Sequence, residues 1–408
     1  MAQFSVAVAL ANREMPVSGV GTHTTLLLNV LRRHGLLSQF HLSSFRLPLR
    51  PTRAAIKLTN RLLGINHEEY WLDRELTHFR DTFEFRPATV IHCQGEFALW
   101  ALGPTAKRMG LPIVSTVHGL DSLHVCEHRH GKKADRTSRE RYQAEDRIER
   151  QALLKADHVI AVDSNHRRLI IERGYPASRI TVIYNSVDMD EVDRWRGAGA
   201  ALNLPGPYIF ASRRLDPKNG IDILLNAVSM MRNHPNVLIA GTGSRERELK
   251  AQSRRLGLTN RVLFLGALAR ESVIGLTWNA DLCVVPSVPR GGTFEATSLS
   301  AIEAMAAGKL VIASNIGGLS EIISHGHTGV LVAPGDASAL AQAIDAALEN
   351  PAYRPTIGAA ARRYVQQNLS LDHWFRKHMA VYIQAYQDSL RSEQGAVAWQ
   401  ALQSPSLQ

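Results

Sequence analysis

Between Asp281 and Ile323 short apolar runs alternate with polar, glycine-rich joints. Leu282 to Val285 is apolar, and Pro286 to Gly292 is a joint of Pro, Arg and Gly. Leu299, Ile302 and Ala306 then fall at i, i+3 and i+7, one face of a helix. Gly308 ends that helix and a second apolar run, Leu310 to Ala313, follows. Strand, glycine joint, helix and strand predict a right-handed βαβ unit of a parallel sheet. The alternation recurs along the chain. It predicts strands at the N-terminus and over Ala88–Gly95, Leu111–Gly119 and His158–Ser164. Others are predicted over Tyr208–Ala211, from Val237, and over Arg261–Leu268, with helices such as Glu140–Lys155 between strands. The fold class is therefore α/β, with two doubly wound parallel sheets. The Gly-, Ala- and Pro-rich stretch Gly197 to Pro207 reads as the linker between them. Residues 1–196 form the expected first domain and residues 208–370 the second, with a helix over 371–392 and a loose tail over 393–408.

Ligands of such sheets sit at the carboxyl ends of the strands, beside helix N-termini. That places Gly291, Gly292, Thr293, Phe294 and Glu295 at a ligand-facing edge, where free backbone N–H groups suit an anion. Glu295 is expected at the start of the helix and Glu303 inside it. Eight helical steps span roughly 12 Å, whereas paired glycosidase carboxyls stand about 5–10 Å apart. The spacing favours two separate contacts with a long ligand over an acid/base pair. A first-turn acid and a solvated mid-helix acid would give the same pattern. Gly19 and Gly21 lie in a loop before a helix that buries Leu26, Leu27, Val30 and Leu31. Such a turn suits phosphate, or simply permits a tight bend. His92 and His118 fall at strand ends. His124, Cys126, His128 and His130 alternate, but that spacing aligns side chains only on a strand, and no common zinc spacing fits. They read as a loop entering a charged helix.

The stretch from Glu295 resembles the E-x7-E signature of the retaining glycosyltransferases of family 4, which have the GT-B fold. The match continues through EAMAAGKLVIAS (303–314), Gly317, Gly318, Glu321 and HTGVLVAPGD (327–336). The resemblance implies a nucleotide-diphosphate sugar as donor, with its nucleotide mainly in the second domain and the acceptor in the first, across a cleft. It implies that Glu295 contacts sugar hydroxyls and Glu303 the ribose. Arg214, in the position of the family's Arg-Leu motif, and Lys218, one residue before that of its lysine, would clasp the diphosphate; Asn219 holds the lysine position. Gly19 and Gly21 would approach the diphosphate, with Gly292, Thr293 and Phe294 beside the donor. His118 would stand near the donor sugar. By the same resemblance the late amphipathic helix, with Trp374, Phe375, Met379, Tyr382 and Tyr386, crosses back to the first domain. Ile180 to Asp188 resembles the family's last strand of the first domain and its Asn-Gly-Val-Asp turn, with Ser186 replacing Gly. Its place argues against reading Asp188-Met189-Asp190 as a metal motif. No metal or other cofactor is expected.

Composition narrows the partners. The 408 residues are 45% hydrophobic, enough for large cores. The net charge of +10 suits acidic partners, but no nucleic-acid-binding motif is present. Three widely spaced cysteines without a CxxC suit a reducing cytoplasm, and no run is long enough to span a membrane. The segment from Arg32 to His67 holds no acid and interleaves basic with apolar residues. It reads either as a surface for an anionic membrane or as a core-facing helix with a solvated basic face. The expected activity is sugar transfer to a lipid-linked or envelope polysaccharide acceptor by a cytoplasmic enzyme, peripheral at the inner membrane face if the first reading holds. A nucleotide-sugar epimerase and a non-catalytic sugar-nucleotide-binding protein are the alternatives. Base, sugar, acceptor and linkage are not encoded in these patterns.

Overall fold

The structure is a computed structural model and describes residues 4–12, 19–44, 76–85, 90–119, 136–198, 206–290 and 295–391. The chain forms two compact units, Met1–Ile183 with Phe375–Gln408, and Tyr184–Trp374.

The first unit is built on six parallel strands, β1 (Val6–Asn12), β2 (Leu37–Ser44), β3 (Val90–Gln94), β4 (Ile113–Val117), β5 (His158–Ala161) and β6 (Ile180–Val182). Their order is β2-β1-β3-β4-β5-β6, so the winding reverses between β1 and β3. Strands β3 and β4 are buried along their whole length. Such burial explains why they read as unbroken apolar runs. Strand β2 is an addition to the expected set. It lies at the sheet edge, is only partly buried, and falls in the acid-free segment, where no clean apolar alternation announces it. Residues 45–67 of that segment lie outside the described residues. Gly19 and Gly21 are not in a loop: the helix Gly19–Arg33 starts at the first of them.

The second unit carries β7 (Tyr208–Ser212), β8 (Asn236–Ala240), β9 (Val262–Gly266), β10 (Leu282–Val285), β11 (Val311–Ser314) and β12 (Val330–Val332). All pairings are parallel and the order is β12-β11-β10-β7-β8-β9, reversing between β7 and β10. Alternate residues feed two cores. Tyr208, Phe210, Cys283, Val285 and Val311 pack with Ile302 and Met305 of the helix Leu299–Ala306. Ile209, Ala211, Leu282, Val284 and Ile312 pack on the other face with Leu224 and Val228 of the helix Ile221–Met230.

The boundary between units falls before Tyr184, not at residue 196. Val187 and Val192 are buried in the second unit's core. The Val187 N–H reaches the Leu369 carbonyl at 3.3 Å, and Trp278 Nε1 donates to the Val192 carbonyl at 2.7 Å. Asp188 caps the helix Met189–Arg194 by accepting from the Asp190 and Glu191 N–H groups. The last helix, Leu371–Leu390, changes unit at Phe375. Phe375 stacks on His34 with ring centroids 4.4 Å apart, and Tyr386 meets Phe4 edge-on at 6.1 Å. Most of the expected linker (199–205) and the tail (392–408) lie outside the described residues.

Gly220 joins the loop after β7 to the end of β10. Its φ is +67°, and a Cβ there would stand 1.8 Å from the Pro286 carbonyl oxygen. Gly257 has nearly the same φ, +68°, with open space around it. Gly257→Ala should therefore cost only the left-handed penalty, about 1–2 kcal/mol. Gly220→Ala adds a backbone collision and should cost clearly more. Urea unfolding of both variants checks this; equal losses would mean that the Pro286 contact is easily relieved.

Candidate functional site

Arg213 and Ser287 follow the carboxyl ends of β7 and β10, the two strands that flank the reversal of the second sheet. That is where open α/β sheets bind ligands. Glu295 is brought to the same place. Arg213 Nη2 donates to Glu295 Oε2 at 2.8 Å and Nη1 to Oε1 at 3.1 Å, a two-pronged pair. Nη2 also lies 2.9 Å from Ser287 Oγ and 2.5 Å from Asn219 Oδ1, and Nη1 lies 2.9 Å from Ser298 Oγ. Ser287 Oγ donates to Glu295 Oε2 at 3.2 Å. Among the described residues Oε2 takes two hydrogen bonds and Oε1 takes one, which leaves Oε1 a further lone pair. The two side chains are only 8% and 11% exposed, so this charge pair is largely removed from water.

The backbone of Glu295 is clamped as well. Its carbonyl accepts from the Gly318 N–H at 2.9 Å. A Cβ at Gly317 would stand 2.1 Å from that oxygen, and one at Gly318 would stand 2.5 Å from the Thr297 nitrogen. Only glycine allows so close an approach. From the other side, the Asn185 N–H donates to Thr297 Oγ1 at 3.0 Å and Asn185 Nδ2 to the Thr297 carbonyl at 2.7 Å. Glu295 is thus held in an irregular segment ahead of the helix, not in its first turn, because the helix begins only at Leu299. The helical spacing of the two acids does not apply.

Glu303 is inside the helix and buried. Arg270 Nη1 stands 2.9 Å from its Oε1, and Arg270 Nε lies 3.8 Å from Glu191. A small cavity beside Glu303 has a mixed lining, with Ser212, Thr277 and Ser300 on its polar part and Phe210, Val284 and Val285 on its apolar part. The two acids differ electrostatically. Burial pushes the Glu295 carboxyl up, but Arg213, Lys218 and the Ser287 hydroxyl outweigh it and leave it below its ordinary 4.5. For Glu303 burial dominates, opposed by Arg270 and reinforced by Glu191, and the carboxyl rises above 4.5.

Arg214 is not brought to Glu295. Its side chain is 61% exposed and its Nε pairs with Asp216 Oδ2 at 3.0 Å. Successive residues leaving a strand point opposite ways, so one of Arg213 and Arg214 turns inward and the other outward. Lys218, in the short turn Pro217–Asn219, acts electrostatically on both Glu295 and Asp216. Asn219 Nδ2 donates to the Arg214 carbonyl at 2.8 Å, which ties the loop together. Gly19 and Gly21 open the first unit's helix. His118 directly follows β4, and its Nε2 lies 2.8 Å from Gln94 Oε1. His92 is not at a strand end but inside β3, fully buried. Gly292, Thr293 and Phe294 lie outside the described residues, as do His124, Cys126, His128 and His130. Among the described residues no cluster of His, Cys, Asp or Glu is arranged to hold a metal ion, and no helix is long and apolar enough to cross a membrane. Sequence reasoning missed Arg213, Arg270 and Ser287. The only signal was that Arg213 and Ser287 sit one or two residues past apolar runs.

The family model described as Glycosyl transferases group 1 matches residues 198–364, and that described as Glycosyltransferase Family 4 matches residues 17–191. Glycogen synthase of Mycobacterium tuberculosis is 30% identical over 345 residues, covering 83% of this chain and 75% of that protein. Sucrose-phosphate synthase from Thermosynechococcus elongatus superposes with a TM-score of 0.75 at 22% identity, over 94% of this chain and all (100%) of that one. Anabaena HepE, solved in complex with UDP, gives 0.68 at 20% identity, over 92% and 98%. The chain belongs to the family 4, group 1 glycosyltransferases, is a glycosyltransferase, and has the GT-B fold.

The opposite shifts of the two acids predict opposite pH effects on stability. Glu295 has a lowered value, so its contribution is present above 4.5 and lost as pH falls through its folded value. Glu303 has a raised value, so its ionisation costs stability as pH rises from 4.5 through its folded value. Relative to the parent, Glu295→Gln should lose most stability at neutral pH and lose less towards acid. Glu303→Gln should recover stability as pH rises above 4.5. Chemical denaturation between acid and neutral pH reads both; parallel curves for the two variants would contradict the assignment.

Proposed function

We propose that this glycosyltransferase moves a sugar from a nucleotide-diphosphate donor to a saccharide hydroxyl with retention of anomeric configuration. The observation that carries the reading is Glu295, held ionised by Arg213 at the reversal point of the second sheet, its Oε1 taking a single hydrogen bond among the described residues. The bound UDP of Anabaena HepE supports a nucleoside diphosphate as leaving group.

In this reading Glu295 Oε1 accepts from a hydroxyl of the donor sugar and Glu303 takes the ribose. The anomeric carbon–oxygen bond to the diphosphate breaks, and the acceptor oxygen bonds to that carbon on the same face. A diphosphate oxygen takes the acceptor proton, so no side chain need act as base. Lys218 and the exposed Arg214 stabilise the charge that grows on the diphosphate, which lowers the barrier because that charge is largest in the transition state. N–H groups of the first unit's helix beside Gly21 serve the same charge, Gly19 opens the approach, and Gly292, Thr293 and Phe294 are donor contacts by the family resemblance. His118 hydrogen-bonds the sugar. With two cationic side chains available, a metal ion is not needed. The basic segment from Arg32 to His67 supports a lipid-linked or envelope saccharide as acceptor, met at an anionic membrane surface.

The test is incubation with UDP-, GDP- and ADP-sugars in the presence of chelator, with and without saccharide acceptors and anionic vesicles. The expected result is acceptor-dependent release of one nucleoside diphosphate, an unchanged anomeric configuration by NMR, and full activity without metal. Inversion, or product formed without any acceptor, would overturn the reading.

A further inference from the structure

His23, His92, His118 and His378 of the first unit stand together, three of them almost wholly buried. The His23 and His118 rings are 4.4 Å apart, His23 and His378 6.0 Å, and His92 and His378 5.9 Å. Through this cluster runs a chain of hydrogen bonds that the transfer chemistry above does not use. His118 Nε2 meets Gln94 Oε1 at 2.8 Å, and Gln94 Nε2 meets His92 Nε2 at 3.2 Å. His92 Nε2 also meets Thr116 Oγ1 at 2.8 Å, and His92 Nδ1 meets the Tyr382 hydroxyl at 2.6 Å.

The chain has a direction. An amide oxygen only accepts, so the His118 Nε2 must carry hydrogen. An amide nitrogen only donates, so His92 Nε2 is the bare nitrogen and accepts from Thr116 as well. Neutral His92 then carries its hydrogen on Nδ1 and donates it to Tyr382. Tyr382 is fully buried on the C-terminal helix, and burial raises its hydroxyl well above the ordinary value, so it stays a protonated anchor. His118 is kept neutral by burial and then by the other histidines that face it: His23 on the first helix, His92 on β3, His166 on the helix Ser164–Glu172, and His378 on the last helix. His166 is itself bonded to Asp163 at 2.7 Å. A neutral His118 with hydrogen on Nε2 has a bare Nδ1, and among the described residues that nitrogen makes no hydrogen bond.

We propose that Gln94 and His92 are positioning residues that fix His118 as its Nε2–H tautomer, so that Nδ1 accepts a hydrogen bond from a hydroxyl of the sugar being transferred. This rests on the reading of His118 as a sugar contact. The specificity that follows is for a sugar whose hydroxyl at that point can donate. A deoxy or O-methyl sugar there is rejected.

The tautomer is read by NMR of protein labelled with 15N-histidine, independently of any substrate. The expected spectrum shows His118 neutral, with hydrogen on Nε2 and a bare Nδ1. Gln94→Met removes the relay at nearly constant volume. It should release the tautomer to a mixture and lower kcat/KM about tenfold, as for one lost oriented hydrogen bond. Gln94→Glu keeps the acceptor for His118 but adds a charge that favours the imidazolium. It should keep activity at high pH and move the acid limb of the pH–rate profile upward, a change that a purely structural role would not produce. An Nδ1–H tautomer in the parent protein, or an unmoved acid limb in folded Gln94→Glu, overturns the proposal. His118→Ala separates the two claims: unchanged kcat/KM removes the sugar contact and the task proposed for Nδ1, whatever the tautomer.

Discussion

A carboxylate buried as deeply as that of Glu295 cannot stay ionised alone, because the cost of leaving water exceeds what neutral hydrogen bonds return. Arg213 is what changes that balance. Its flat guanidinium engages both carboxylate oxygens and still reaches Ser287, Asn219 and Ser298. One ion pair thereby joins three separated parts of the chain: the end of β7, the end of β10, and the segment before the helix Leu299–Ala306. The glycines at 317 and 318 and the side chain of Asn185 fix that segment from two more directions. The second sheet brings the ends of β7 and β10 together at its reversal, and the ion pair keeps a charged acid there.

The second acid follows a different rule. Among the described residues Glu303 pairs with Arg270, shares it with Glu191, and rests on the raised side of its ordinary value. A group poised in this way gains from a ligand that donates hydrogen bonds, since those favour its charged form. Glu295 needs no such help. The two acids therefore differ in kind: Glu295 is preset by the protein, and Glu303 is left to be completed.

The fold was legible because parallel strands buried on both faces are written as apolar runs, and the joints between them as glycine and proline. Strand β2 escaped for the converse reason: an edge strand need not be apolar, and its Ser- and Gln-containing sequence carries no period. The unit boundary was misplaced because Gly197 to Pro207 looks like a linker, whereas what assigns Tyr184 to Trp195 is burial of Val187 and Val192 against distant residues. The site was half legible. Glu295 and Glu303 stand in a motif, so their spacing marks them. Arg213 and Arg214 are adjacent and chemically identical, and composition cannot say which side chain turns inward. The motif marks Arg214 for the diphosphate, and backbone alternation past β7 delivers its neighbour Arg213 to the Glu295 carboxylate. Arg270 is 33 residues before Glu303 and meets it only through the fold.

The central claim is that Arg213 and Glu295 act as one buried unit, and a double-mutant cycle measures that directly. Arg213→Met, Glu295→Gln and the double variant would be compared with the parent by urea unfolding at neutral pH. Arg213→Met leaves a buried carboxylate uncompensated and should cost about 3–5 kcal/mol. The double variant should be more stable than the two single losses imply, by about 2–3 kcal/mol, because neither charge is then left alone. Additivity to within about 0.5 kcal/mol would show that the two residues are independent, and would contradict the account.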